Sequence, residues 1–311
     1  MALTLLDIAK LNGTDDLVGL IEESIQAHPE LLGAARTIQG TSYRTRIRTA
    51  LAGTGFRDAN DGTNGVQNVY KNKLVETFIS TPRIVVDVAV ADSDEDGPEA
   101  LMALEATGVM ESEMRSLASQ MWYGTSTAIA TSVAANPTSG FPGMVDTYNT
   151  DIAVDMAGAG GDTSSIWAVK WGPRDVSWVY GVNGALDLSD TRVETVSGDN
   201  GEDMDAYVRT MKLYPGLQQV NINSAGRIRN IDGGTGIDDD DIANLLSLFP
   251  TGVTPDILYM TRRTLRLLRE SRTATITNGG TDRGTPNLFP DSSLGIPIAV
   301  TDALVDTETA S

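Results

Sequence analysis

The chain contains no cysteine. That excludes disulfides, thiolate metal ligands and a cysteine nucleophile, and it suits folding in a reducing compartment. Histidine is nearly absent as well, with only His28, in "AHPEL". A Ser-His-Asp triad would have to use it, yet no G-x-S-x-G accompanies it. His28 therefore reads as a surface or helix-end residue. No phosphate loop of the form G-x-x-x-x-G-K-S/T occurs. Long hydrophobic runs are missing too. The most apolar stretch, "IVVDVAVA" at 84–91, is too short to span a bilayer and carries Asp87. The opening "MALTLLDIAKLNG" has no basic lead and is interrupted by Asp7, so it does not read as a signal peptide. These features lead us to expect a soluble, unexported protein without a membrane partner.

Positive charge is scarce: 23 Lys and Arg face 42 Asp and Glu, for a net charge of -19. Such a surface repels nucleic acid unless its few cations are gathered in one place. Some are gathered. In "SYRTRIRTAL", 42–51, Arg44, Arg46 and Arg48 occupy every second position. A period of two puts them on one face of a strand, with Tyr43, Ile47 and Leu51 on the other. Residues 41–83 hold seven basic groups (Arg44, Arg46, Arg48, Arg57, Lys71, Lys73, Arg83) and three acidic ones (Asp58, Asp61, Glu76), a net of +4 that leaves -23 on the rest.

With 311 residues, 41% of them hydrophobic, the chain can bury a sizeable core as one large domain or two moderate ones. Residues 2–35 suggest two short helices. In the second, Leu17, Leu20, Ile21 and Ile25 share one face, and Thr14 or Asp15 can cap it. The strand at 41–51, the Gly/Asn/Asp-rich loop 52–66 and a return strand at 67–81 that continues through 84–91 read as one long hairpin. A lone hairpin is marginal in water, so this one needs a partner surface.

The clearest helix runs from Pro98 to Tyr123. Asp94, Glu95, Asp96 and Glu99 crowd its start, Pro98 suits its first position, and Gly124 its end. Ala103, Ala106, Met110, Met114, Leu117 and Met121 form one apolar stripe, of which Met110, Met114, Leu117 and Met121 are expected to face a sheet, and Gly108 offers a place to bend. At about 1.5 Å per residue it spans about 39 Å. Loops at 125–165 give way to strand signals in "SIWAVKWG", "VSWVYG", "DAYVRTMKLYPGLQQVNI" and "GRIRNI". Helices at 239–249 and 261–271 follow, then a final strand in "GIPIAVTDALV".

The remaining motifs yield no chemistry. Asp238 to Asp241 read as a charged helix start and not as a metal site. "DANDGTNG", 58–65, fails as a calcium loop because Arg57 and Ala59 fall at ligand positions. "GAGGDTSS", 158–165, is a loop, and Arg262, Arg263, Arg266 and Arg269 make a basic solvated face. No catalytic, cofactor-binding or metal-binding residue is expected.

The order of arm, long hairpin, long helix, β-rich region and final strand resembles the major capsid proteins of tailed phages, which share the Hong Kong ninety-seven phage fold. "SIWAVKWGPRDVSWVYG", "GLQQVNINSAGRIRNI" and "LGIPIAVTDALVDTE" are similar to segments of such proteins from short-tailed phages. The resemblance implies an α+β fold with an N-terminal arm at 1–40 and an extended hairpin (E-loop) and strand at 41–96. It implies a peripheral (P) domain with the spine helix at 97–144, axial (A) domain and further P-domain strands at 145–290, and a last P-domain strand at 291–311. It also implies a virion protein, assembled in the host cytoplasm into pentamers and hexamers of a shell around double-stranded DNA. Scaffold, portal and decoration proteins would be its partners, and no cofactor is implied. Some members cross-link an E-loop lysine to a neighbour's asparagine; the resemblance assigns that role to neither Lys71 nor Lys73 and leaves cross-linking open. A basic tongue on an acidic body makes Arg44, Arg46, Arg48, Arg57, Lys71 and Lys73 candidate inter-subunit contacts. The alternatives are a nanocompartment shell of the same fold, or a nucleic-acid-binding module. The overall acidity and the lack of aromatic residues interleaved with the arginines count against the second.

Overall fold

Trp167 and Ile166 are adjacent, fully buried and belong to different cores. The strand that holds them explains the layering of the molecule. The structure, a computed structural model, describes residues 27–125, 139–184, 186–198, 201–278 and 291–310. The helices expected before residue 27 lie outside the described residues.

The chain begins with a short turn at Pro29–Leu32, then β1 (Ala35–Thr37), β2 (Ser42–Ala50), β3 (Val69–Glu76) and β4 (Arg83–Asp87). The helices α1 (Val88–Ala91), α2 (Pro98–Tyr123) and α3 (Met144–Thr147) follow. Next come β5 (Ala153–Asp155), β6 (Ser164–Val169), β7 (Val176–Tyr180), β8 (Asp187–Leu188), β9 (Arg192–Ser197) and β10 (Asp203–Lys212). The chain continues with β11 (Pro215–Gln219), β12 (Ala225–Ile231), α4 (Asp239–Ser247) and β13 (Ile257–Met260). It closes with α5 (Arg262–Asn278), β14 (Ser292–Ser293) and β15 (Ile296–Val300).

A six-stranded sheet runs β14-β15-β13-β6-β12-β5. Successive side chains on a strand point to opposite faces. On β6 and β13, Ile166, Ala168, Leu258 and Met260 go to one side and pack with Ile242 and Leu245 of α4 and Leu268 of α5. Trp167, Val169 and Tyr259 go to the other and meet Met121, Trp122 and Tyr123 of α2. Both faces are apolar because both are covered. Asp238 opens α4 with a reciprocal cap: its carboxylate accepts the Asp241 N–H, and that of Asp241 accepts the Asp238 N–H. The acidic run is a helix start, as expected.

The helix α2 is continuous from Pro98 to Tyr123 and passes through Gly108. The expected stripe needs correction. Leu117 and Met121 are buried, but Ala103 is exposed and Met114 is 45% exposed. Two cores hold the helix at its ends. Leu101 and Met102 pack with Ile84, Val86 and Ala91, and the far end enters the tryptophan-rich core. A helix about 39 Å long outruns either core, so its middle bridges them.

Two further corrections concern the hairpin. Its return strand stops at Glu76, and β4 pairs with β10 instead of continuing it. Residues 88–91, read as strand, form α1. The Asp87 carboxylate accepts the Ala89 N–H at 2.7 Å, a local cap that overrides the β preference of valine.

Deep beside β6 lies a charge pair. Arg227 and Glu308 are each 1% exposed, with Nη2 to Oε2 at 2.9 Å. Ser165 Oγ accepts from Arg227 Nε and Nη2, and Tyr123 Oη donates to Glu308 Oε1 at 2.8 Å. Removing one partner strands the other charge. We expect Glu308→Ala to lower unfolding free energy by about 3–5 kcal/mol, read by urea denaturation. A loss under about 1 kcal/mol would show that the pair is dispensable.

Glu30 is a second buried acid. Burial pushes its pKa up to about 7, against the hydrogen bond from Thr301 Oγ1 at 3.0 Å. Below pH 4.5 the carboxyl is neutral in both folded and unfolded chains and its burial is tolerated. As pH rises through 7 the folded state must carry a buried charge, which costs roughly 3 kcal/mol. Relative to Glu30→Gln, the native chain should lose about that much stability between pH 4.5 and 8. A stability gap that stays flat over this range would contradict the assignment.

Candidate functional site

The distinctive surface is the β2–β3 hairpin. Its register pairs Ser42 with Glu76, Arg44 with Leu74, Arg46 with Asn72 and Arg48 with Tyr70. Residues paired across a sheet share a face, so Arg44, Arg46 and Arg48 line one side with Leu74, Asn72 and Tyr70. All three arginines are exposed. None forms an ion pair among the described residues. Lys71 and Lys73 pair with Ile47 and Thr45 and so lie on the opposite side.

That opposite side seats the hairpin on the body. Tyr43 Oη donates to Gln218 Oε1, and the Arg36 guanidinium stacks 4.5 Å from the Tyr43 ring centre. Lys73 Nζ donates to the Gln219 carbonyl. Burial, then neighbouring Lys71, lowers the Lys73 pKa, so its ammonium belongs to the seat and is not a free contact. Val75 is buried, and Phe78 N–H donates to the Pro215 carbonyl at 2.8 Å. Arg57 is exposed in the loop and bonds the Asp61 carbonyl there. The six candidate cations therefore divide: three form the stripe, one sits in the loop, and Lys71 and Lys73 are on the seated side.

Sequence reasoning missed the apolar half of this surface. Phe56, Leu51, Val66 and Tyr70 are all exposed, Phe56 fully. An aromatic residue inside a Gly/Asn/Asp-rich loop was the available signal. Among the described residues no group of three or more acids or histidines is placed to hold a metal ion, and no helix is long and apolar enough to cross a membrane.

A family model described as major capsid protein GP7 matches residues 15–311. The chain belongs to that family. It is a structural family of capsid shells and not an enzyme family, and the capsid subunit is a component of a tailed-phage virion. A chain of bacteriophage Epsilon15 has the same fold, with a TM-score of 0.74 and 20% identity over 100% of this chain and 97% of that one. A chain from the capsid of bacteriophage JBD30, decorated with minor capsid protein trimers, matches at a TM-score of 0.56 and 11% identity, over 96% and 97% of the two chains. No curated protein matches. The capsid subunit thus shares its fold with phage shells over nearly its whole length, including the hairpin.

The seat depends on one close approach. A Cβ on Gly216 would lie 2.5 Å from the Glu76 carbonyl oxygen and 3.2 Å from Thr77 Cα, both backbone atoms. We expect Gly216→Ala to loosen the hairpin, raising amide exchange at 73–77 at least about ten-fold while β6 and β13 stay protected. Unchanged exchange at 73–77 would mean that the seat tolerates a methyl group.

Proposed function

We propose that the arginine stripe is the surface by which one capsid subunit engages carboxylates of the next. The observation that carries this reading is three exposed arginines on one hairpin face with no ion pair among the described residues of their own subunit. A body carrying -23 offers acidic partners on every other copy. A contact between two different patches closes into rings, which fits pentamers and hexamers. Charge complementarity sets register and speeds encounter more than it adds affinity. Exposed Phe56 and Leu51 supply the apolar area that the charges lack.

In this reading the shell encloses double-stranded DNA without gripping it, because phosphate binding needs clustered cations. Residues 1–40 form the arm, 41–96 the E-loop and its strand, 97–144 the P-domain around α2, 145–290 the A-domain with further P-domain strands, and 291–311 the closing strand. Scaffold, portal and decoration proteins act on this subunit in the host cytoplasm.

The test is reversal of all three arginines to Glu. The seated face of Tyr43, Ile47 and Val75 is untouched, so the monomer should fold with unchanged Tm. An exposed charge contributes about 0–1 kcal/mol, whereas an interfacial one costs about 2–5 kcal/mol when its partner is stranded. That penalty recurs at every copy, so shell assembly followed by light scattering should slow or stop. Assembly at the native rate with the native salt dependence would reduce the stripe to a solvated strand face.

A further inference from the structure

The hairpin of β9 and β10 is opposite in sign to that of β2 and β3. Residues 187–198 and 201–205 carry six acids against one base, Arg192, a net of -5. The register pairs Asp203 with Ser197, Asp205 with Thr195 and Tyr207 with Val193, so these six share one face. The opposite face is neutralised inside the subunit, where Glu194 holds Arg83 at 3.0 Å and also holds Arg192. Asp203 and Asp205 are not neutralised in this way. Both are exposed, and neither forms an ion pair among the described residues. Asp205 accepts the Thr195 hydroxyl at 2.9 Å.

The helix α2 decides how much of this face is free. Tyr207 packs with Ile84, Val86 and Leu101, so that end is covered. Asp203, Asp205, Thr195 and Ser197 are exposed, and Val193, 58% exposed, marks the margin. The sign of this face rules out a polyanion as its partner. Among the described residues no group of three or more acids is placed to hold a metal ion, which leaves a cationic protein surface.

The arginine stripe matches it in pitch as well as in sign. On both hairpins the side chains of one face recur every 6.6–6.8 Å, roughly. With β2 laid antiparallel over β10 and β3 over β9, Arg46 falls on Asp205 and Arg48 on Asp203. In the same register Asn72 meets Thr195, and Leu74, 46% exposed, meets Val193. Charge meets opposite charge, amide meets hydroxyl, and apolar meets apolar. A slip of two residues sets Leu74 against Thr195 in one direction and Asn72 against Val193 in the other. Packed sheets stand about 10 Å apart, a gap that an arginine reaching toward an aspartate fills.

We propose that the exposed face of β9 and β10 on a second copy is the surface that receives the arginine stripe, with Arg46 on Asp205 and Arg48 on Asp203. This pairing rests on the stripe being an intersubunit contact, and it names the residues that complete the contact.

Charge exchange tests it on the full chain. The stripe variant is Arg46→Glu with Arg48→Glu, the face variant is Asp203→Arg with Asp205→Arg, and a third chain carries all four changes. Every copy in a ring supplies both surfaces, so the third chain regains opposite charges at each contact. Light scattering should show assembly slowed about ten-fold or more in each two-site variant, with unchanged monomer Tm. The four-site chain should return to within about two-fold of the native rate. Asp187→Arg with Asp190→Arg makes the same change in net charge away from this face, and added to the stripe variant it should restore nothing. A gentler pair, Asp203→Asn with Asp205→Asn, should also slow assembly, by about three-fold or more, without placing new charge on the strand. If the stripe variant is slow but the four-site chain is no faster, or the displaced reversal rescues equally well, the receiving surface lies elsewhere and the proposal is overturned while the stripe keeps its role. If the stripe variant assembles at the native rate, the stripe reading and this pairing fall together.

Discussion

The Arg227–Glu308 pair is the contact on which the architecture turns. Glu308 lies 81 residues from Arg227 and 185 from Tyr123, so the network joins a central strand, the end of α2 and the last residues of the chain. Two desolvated charges are poor stabilisers unless every polar atom is met. Here Ser165 and Tyr123 meet them, and Glu308 also exchanges backbone hydrogen bonds with Thr163. An apolar replacement could match the energy but would not dictate the registration. The direction of α2 is set at this end, and its other end carries the β4–β10 sheet through Leu101 and Met102. A change of tilt at Tyr123 would be magnified along the helix.

The electrostatic design has two parts that work at different ranges. Buried pairs such as Arg227–Glu308 are satisfied within the subunit and barely feel salt. The hairpin stripe is exposed and forms no ion pair among the described residues, with a net +4 on residues 41–83 against -23 elsewhere. At physiological ionic strength the Debye length is about 8 Å, so the stripe acts on what comes close and not on distant copies. On the proposed docking, acidic bodies keep subunits apart in general and the stripe would single out one geometry in which they meet.

Much of this was legible because it is local. Alternating Arg44, Arg46 and Arg48 announce a strand face, and Pro98 with Gly124 brackets α2. The element order read from such signals carried the resemblance, and local wording such as "SIWAVKWGPRDVSWVYG" added to it. What escaped depends on tertiary partners. "GRIRNI" shows a basic strand, but only Glu308 makes Arg227 a core residue. Val88 and Val90 read as β until the Asp87 cap is seen. Lys73 looks like a free cation until the Gln219 carbonyl is placed beside it. The mid-helix stripe of Met110 and Met114 looked like core because periodicity reports amphipathicity and not what covers it.

The seating of the hairpin bears on how strongly subunits bind. Tyr43, Lys73 and Val75 hold its base, but residues 46–72 hydrogen-bond only with one another among the described residues. A two-stranded ribbon of that kind is marginal alone in water. In the proposed docking, part of the energy of each hairpin contact would therefore be spent on ordering the distal hairpin, which would keep single contacts weak. Weak contacts suit a closed shell. A subunit held by one neighbour departs easily, whereas one held on several sides gains from effective concentration and stays. Pairing the stripe inside its own subunit would stiffen the hairpin and remove this discrimination. On that proposal the arginines, which form no ion pair among the described residues, would serve closure more than they could serve the stability of the fold.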